Sequence, residues 1–278
     1  MMYCWQHIPE HIHPDIISLG FFHIRWYGFM YIVAFTLVYL LTAYRIKRNE
    51  ITISRPMLDK VLTWGILGTV MGARLGYVLF YNLNYYLRNP LEIVLPFDLA
   101  GGTWQYTGLS GMSFHGGLIG VLISLWFFCR KAKISLVSVT DALAPAVPLG
   151  YAFGRLGNFI NGELYGRLTT VPWGMYFPLA PSYHLRHPSQ LYEALFEGFL
   201  LFAVLWTTRK RFFRSPGAKS VAYLVGYATV RLVIEFFREP DTQIGLFFGV
   251  VSMGQILCSA MILVGLLLLF RNRRRPFL

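Results

Sequence analysis

Residues 24–44 read IRWYGFMYIVAFTLVYLLTAY, and RIKR follows at 45–48. Where no water is present, every backbone N–H and C=O must be bonded within its own segment, and crossing the hydrocarbon core as a helix takes about 20 mainly apolar residues. This stretch has that length, with Arg25 at its edge as the one charge and a cluster of cations closing it. Working outward, six further runs of the same kind occur at 60–81, 113–130, 136–156, 189–208, 219–238 and 247–270. The fourth carries Asp141, Pro145 and Pro148. Membrane helices tolerate proline when neighbours satisfy the freed carbonyls. Leaving that run out gives six spans, and the charge distribution favours seven.

The chain has 278 residues, 55% of them apolar and 14% charged, with a mean hydropathy of +0.50. A soluble domain carries about 25% charged residues, so too little polar surface is present here to coat a water-soluble globule. The formal net charge is +12. Seventeen of the 25 Lys and Arg lie at 45–60, 130–133, 209–219 and 271–275, after the first, third, fifth and seventh runs, with Glu50 and Asp59 the only acids among them. The positive-inside rule makes these segments cytoplasmic, which sets the N-terminus outside and the C-terminus inside. Topology and anionic headgroups account for the basicity, and no nucleic-acid partner is required. The fold expected is an all-α polytopic membrane protein with seven transmembrane helices, forming one integral-membrane domain over 1–278.

The N-terminal MMYCWQHIPEHIHPD has neither a basic n-region nor a short apolar core with a cleavage site, so the first span is expected to direct insertion. Cys4, Cys129 and Cys258 are isolated and form no CxxC pair, which supports neither a disulfide framework nor a zinc site. The outer segment 82–112 is too apolar for a free loop and too interrupted for a span, and reads as an interfacial element on the outer leaflet. The Gly-, Pro- and aromatic-rich segment 157–188 reads as a small outer head. His7, His11 and His13, with His184 and His187, read as solvated or capping side chains in preference to a metal site.

Setting aside the cytoplasmic cations leaves eight, and all are arginine: Arg25, Arg74, Arg88, Arg155, Arg167, Arg186, Arg231 and Arg238. A guanidinium binds phosphate bidentately and stays charged in a poorly hydrated site. A charge at the centre of a membrane helix costs about 2.5–3.5 kcal/mol on insertion scales, which marks Arg74, Arg155 and Arg231 as functional candidates against the alternative of structural ion pairs. In the sixth run Tyr227, Arg231, Glu235 and Arg238 recur at i, i+4, i+8 and i+11, a polar stripe that must face protein or a wet cavity. Either Arg231 and Glu235 simply neutralise each other, or Glu235 aims Arg231 at an anion. In the third run Ser113 is placed to cap the helix. That puts His115 in the first turn, where the positive helix end keeps its imidazole neutral and able to accept a proton. The block GRLGNFINGELYGR at 154–167 gathers two Arg, two Asn, a Glu and four Gly at a membrane boundary, a donor set suited to a phosphate or a developing oxyanion. In the expected topology all of these candidates fall in the outer half of the bilayer.

HGGL at 115–118, GRLGNFINGELYGR at 154–167, VPWGM at 171–175, RHPSQLYEA at 186–194 and Tyr227-x3-Arg231-x3-Glu235-Phe-Phe-Arg-x-Pro-Asp241 resemble the bacterial prolipoprotein diacylglyceryl transferases. The matching blocks span most of the chain. The resemblance implies a seven-helix enzyme of the bacterial inner (cytoplasmic) membrane that works without metal or organic cofactor. It would move the diacylglyceryl group of phosphatidylglycerol to the lipobox cysteine thiol of a preprolipoprotein signal peptide, releasing glycerol 1-phosphate. It also implies catalytic roles for His115, Arg155, Arg231 and Tyr227, and substrate binding by Arg155, Asn158, Glu163, Gly166, Tyr27 and Glu235. Arg74 carries no role from the resemblance.

A thiol attacks only as thiolate, so His115 is the first candidate for the base, with substrate positioning as its other role. Arg155 and Arg231, with Asn158 donating a hydrogen bond, would hold the headgroup and stabilise the leaving phosphomonoester, and Glu235 and Glu163 would orient the arginines. Two rival functions are an intramembrane serine protease, from GLSG at 108–111, and an anionic-solute transporter, from the buried arginines. The fourth to seventh runs hold no histidine for a protease dyad, and the only internal echo, Ala73-Arg74-Leu75-Gly76 against Gly154-Arg155-Leu156-Gly157, is too short for a transporter repeat.

Overall fold

The computed structural model describes residues 2–19, 22–95, 97–98, 105–106, 111–211, 215–239, 246–247 and 251–273. The chain divides into two compact units, residues 1–51 with 140–278 and residues 52–139. Helices occupy all seven apolar runs, and are here numbered α1 Trp26–Lys47, α2 Arg55–Tyr81, α3 Phe114–Ala132, α4 Leu136–Leu143, α5 Val147–Ile160, α6 Ser189–Thr208, α7 Ala218–Ile234 and α8 Met253–Arg273. Among the described residues α1, α2, α6 and α8 are long and apolar enough to cross a membrane, and α4 with α5 makes a fifth span if the bent pair is one. The bend is 61°. Pro145 in the break and Pro148 in the first turn of α5 cannot donate backbone hydrogen bonds there, which accounts for it. The sixth run is shorter than expected, because α7 ends at Ile234 and Glu235 is already its C-cap.

The expectation of helices alone needs one correction. Among the described residues three two-stranded antiparallel sheets lie outside the helices. The largest pairs β1, Asp15–Leu19, with β2, Phe22–Arg25, and runs directly into α1. The others pair Phe97–Asp98 with Gln105–Tyr106 and Leu246–Phe247 with Val251–Ser252.

In the second unit α2 and α3 pack backbone to backbone. A methyl added to Gly72 would run into the Gly116 carbonyl, and one added to Gly120 into that of Gly68, so only glycine allows this approach. Ser124 Oγ donates to the Trp64 carbonyl over 2.6 Å across the same contact. Ser113 caps α3 as expected, accepting from Gly116 N at 3.3 Å. The segment 83–93 forms the short helices Leu83–Arg88 and Pro90–Ile93, with Leu83, Leu87, Leu91 and Val94 exposed.

In the first unit α5 packs on α1 and α6, and α7 on α8. Gly157 of α5 faces Tyr27 and Met30, Gly198 of α6 faces Ala152, and Gly254 of α8 faces the Glu235 carboxylate. Residues 162–188 fold over a small core of Phe159, Met175 and Phe177, against which Ile8 and Ile12 of the N-terminal segment pack. The N-terminal segment is pinned there by Tyr176 N donating to the Gln6 carbonyl over 2.8 Å and by Trp5 Nε1 donating to the Trp173 carbonyl over 3.1 Å.

Candidate active site

The polar stripe of the sixth run is real and faces inward: Arg231 and Glu235 are buried, while Val233, Phe236 and Phe237 are exposed. Arg231 Nη2 stands 3.0 Å from Glu235 Oε2, and Ser252 Oγ donates to Glu235 Oε1 over 2.9 Å. The pair is not self-contained. Arg231 Nη1 donates to Glu193 Oε1 over 2.6 Å and lies 3.7 Å from Glu197 Oε1. Glu193 and Glu197 are both fully buried on α6, in a π-helical stretch from Glu193 to Leu200 that breaks the regular α ladder.

Arg155, near the end of α5, meets the same carboxylate. Its Nε lies 2.7 Å from Glu193 Oε2 and donates its single hydrogen to the Tyr151 hydroxyl, also over 2.7 Å. Nη1 donates to Asn158 Oδ1 over 3.3 Å, and the guanidinium sits 4.8 Å from the centroid of the Tyr151 ring. Tyr151 in turn donates its proton to Glu197 Oε2 and packs edge-on against Tyr227. Arg155 keeps 13% of its side chain exposed, against 7% for Arg231.

The glycine-rich turn after α5 extends the network. Asn158 Nδ2 donates to Glu163 Oε1 over 2.8 Å, and Asn161 Nδ2 reaches the same oxygen at 3.4 Å. Gly162 and Leu164 both take positive φ, +69° and +58°, the first a conformation glycine adopts freely and the second one a leucine rarely holds. The start of α6 clamps this turn, with Gln190 Nε2 donating to the Glu163 carbonyl over 2.6 Å and Ser189 Oγ to that of Leu164 over 3.0 Å. Tyr27, in the first turn of α1, bonds the Tyr31 hydroxyl at 3.0 Å and packs on Gly157. Gly166 donates its N–H to the His187 carbonyl over 2.8 Å, and a methyl there would meet the Phe237 carbonyl. Burial pushes the neighbouring His187 imidazole below its ordinary value of 6.5.

The family profile described as "Prolipoprotein diacylglyceryl transferase" matches residues 14–271. The chain belongs to that family. It is therefore a transferase of lipoprotein biosynthesis. A relative from Chlorobaculum tepidum, named phosphatidylglycerol–prolipoprotein diacylglyceryl transferase, is 52% identical over 271 residues, covering 98% of this chain and 93% of its own. Relatives of the same name from Bordetella avium, 47% identical over 263 residues, and Nitrosomonas europaea, 48% over 259, cover 94% and 92% of this chain, and 95% and 88% of their own lengths.

Of the residues singled out from sequence, the first unit brings Arg155, Asn158, Glu163, Arg231 and Glu235 into one bonded network, with Tyr27 and Tyr227 packed against it through Gly157 and Tyr151. His115 stands in the second unit, exposed in the first turn of α3. Some expected contacts differ. Glu163 reaches Arg155 only through Asn158, whose amide already donates to Glu163, and the carboxylates that touch the two arginines are Glu193, Glu197 and Glu235. Glu193 and Glu197 escaped the sequence reading. Their signal was present, two acids one turn apart in an apolar run. Arg74, a functional candidate on its charge, is a clasp in the second unit. It donates to the Glu92 carbonyl and, over 2.9 Å, to that of Ile93, and stacks 5.0 Å from the Tyr86 ring. His7 bonds Glu10 at 2.6 Å and stacks on Tyr176. Ser110 of the GLSG motif lies outside the described residues.

Proposed function

We propose that this chain moves the diacylglyceryl group of phosphatidylglycerol onto the lipobox cysteine of a preprolipoprotein signal peptide, making a thioether and releasing glycerol 1-phosphate. It does so as one catalytic domain of seven spans in the bacterial cytoplasmic membrane, N-terminus outside, C-terminus inside, with the site towards the outer leaflet. The observation that carries this reading is the buried pair of guanidiniums, Arg155 and Arg231, held by a common carboxylate, with 13% of the Arg155 side chain exposed. The names of the relatives support the choice of lipid and protein substrate.

The chemistry is a displacement at carbon. The cysteine thiolate attacks the glycerol carbon that carries the phosphate ester; the C–S bond forms, the C–O bond breaks, and its electron pair leaves on the phosphate oxygen. Negative charge grows on that phosphate as the bond breaks, so a fixed guanidinium beside it lowers the barrier more than it stabilises bound lipid. In this reading Arg155 touches the phosphate, Arg231 behind it supports the field, Tyr227 shares the catalytic role, and Tyr27, Asn158, Glu163, Gly166 and Glu235 bind the substrate. The candidate for the base that takes the thiol proton is His115, whose other role would be to position substrate. Both acyl chains remain among the lipids.

The test is mass spectrometry of a synthetic lipobox peptide incubated with the purified protein and phosphatidylglycerol vesicles, beside a Cys→Ser peptide and an Arg155→Ala enzyme. A diacylglyceryl mass gain on cysteine, with glycerol phosphate released and both controls silent, is expected. An unmodified peptide with folded protein overturns the reading.

A further inference from the structure

Tyr151 and Glu197 have no place in the chemistry above, yet they are bonded to it. Arg155 Nε has one hydrogen, and it goes to the Tyr151 oxygen over 2.7 Å. A phenol oxygen accepts well from that direction only while its own proton points elsewhere, and here the proton is given to Glu197 Oε2. Glu197 is fully buried on α6, and its other oxygen, 3.7 Å from Arg231 Nη1, has no hydrogen-bond partner among the described residues. An unshared buried carboxylate oxygen is costly to keep, and the second oxygen is spent wholly on Tyr151.

We infer that Glu197 is a positioning residue, fixing the Tyr151 hydroxyl as the acceptor that aims the Arg155 guanidinium at the phosphate. Glu197 sets Tyr151, Tyr151 sets Nε, and Asn158 sets Nη1, which leaves the rest of the fork for the leaving group. The inference rests on the transfer reaction proposed above and adds two residues to it. It differs from a role for Glu197 as a plain counter-ion to Arg231, because an aim depends on an acceptor atom and a counter-ion on a charge.

The test measures kcat and the KM for phosphatidylglycerol in the peptide-transfer reaction for the wild type, Glu197→Gln, Glu197→Leu, Tyr151→Phe and the Tyr151→Phe/Glu197→Leu double variant, each checked for folding by thermal melting. Loosened aim of one charged group lowers turnover by about tenfold to hundredfold, so Glu197→Leu and Tyr151→Phe should each lose that much kcat with KM little changed. The double variant should be no worse than either single, since both break one chain of bonds. Glu197→Gln, whose amide carbonyl still accepts from Tyr151, should recover most of the loss. Losses that multiply in the double variant, or a glutamine as poor as leucine, overturn the inference. If the leucine variant does not fold, a folded Tyr151→Phe enzyme with wild-type kcat overturns it alone. A wild-type protein that transfers nothing would instead sink the reaction on which the inference rests.

Discussion

Arg155 and Arg231 share one counter-ion: Glu193 sets Oε2 2.7 Å from Nε of the first and Oε1 2.6 Å from Nη1 of the second. Two guanidiniums brought together in a poorly hydrated interior repel each other, and a carboxylate between them turns that repulsion into two attractions. Glu193→Gln keeps the shape and removes the charge, leaving both cations short of a partner. Breaking a buried pair in this way costs about 3–5 kcal/mol. The expected outcome is a large fall in melting temperature in detergent, and an unchanged melting curve would show that Glu197 and Glu235 suffice.

Arg155 is expected to resist even a conservative change. Its fork touches Tyr151, Glu193 and Asn158 at once, and a lysine ammonium, a point charge on a flexible stem, cannot reproduce those directions. Losing a fixed donor aimed at developing negative charge costs about 10²–10³-fold in turnover, so Arg155→Lys should fall by that order while the protein still melts cooperatively. Turnover near that of the wild type in the lysine enzyme would mean that charge alone is enough.

The positions of the helices were legible because each apolar run must satisfy its own backbone in lipid, and the same constraint made Arg155 and Arg231 conspicuous. Glu235 was legible from its i+4 spacing to Arg231, whereas Glu193 and Glu197 lie on another run and share no spacing with the arginines they answer, although Glu193 falls inside the block 186–194. The contacts of Arg74 were hidden for a different reason. It donates to the main-chain carbonyls of Glu92, Ile93 and Gly111, and no side-chain pattern announces a carbonyl. The early end of α7 at Ile234 was equally hidden, since the apolar character of Phe236 and Phe237 continues past the last helical turn. Spacing identifies a face; it does not say which partner the fold delivers to it.

Gly166 is fixed on both sides by main chain. Its N–H bonds the His187 carbonyl, Arg167 N bonds the Phe237 carbonyl over 2.9 Å, and a methyl on Gly166 would collide with the Phe237 carbonyl and lie 2.7 Å from the His187 Cβ and oxygen. Backbone held by its own hydrogen bonds yields less readily than a side chain. Gly166→Ala should therefore destabilise by about 1–3 kcal/mol, the usual cost of overpacking. Thermal melting and peptide transfer measured together are expected to fall together; an alanine variant with wild-type melting would mean that the 166–187 turn can open.

Glu50 gives the clearest expectation for pH. It follows α1 in the chain and stands 2.9 Å from Arg209 Nε, 3.0 Å from Lys210 Nζ and 3.6 Å from the buried Arg45 Nε. Burial by itself would raise its carboxyl; the hydrogen bonds and charges of Arg209 and Lys210 outweigh that and hold it below the ordinary value of 4.5. The folded protein thus binds a proton at Glu50 less readily than the unfolded chain does. The stabilisation is complete above the unfolded value and is lost as pH falls through the lower folded one. Glu50→Gln should melt below the wild type at neutral pH, because Arg45, almost fully buried, loses its carboxylate. Acid should narrow the gap, since protonation makes the wild-type side chain neutral as well. Melting curves taken from neutral pH to well below 4.5, through the lower folded value, follow this directly. A gap that stays constant over that range would mean that the glutamine variant is weakened by lost packing and not by lost charge.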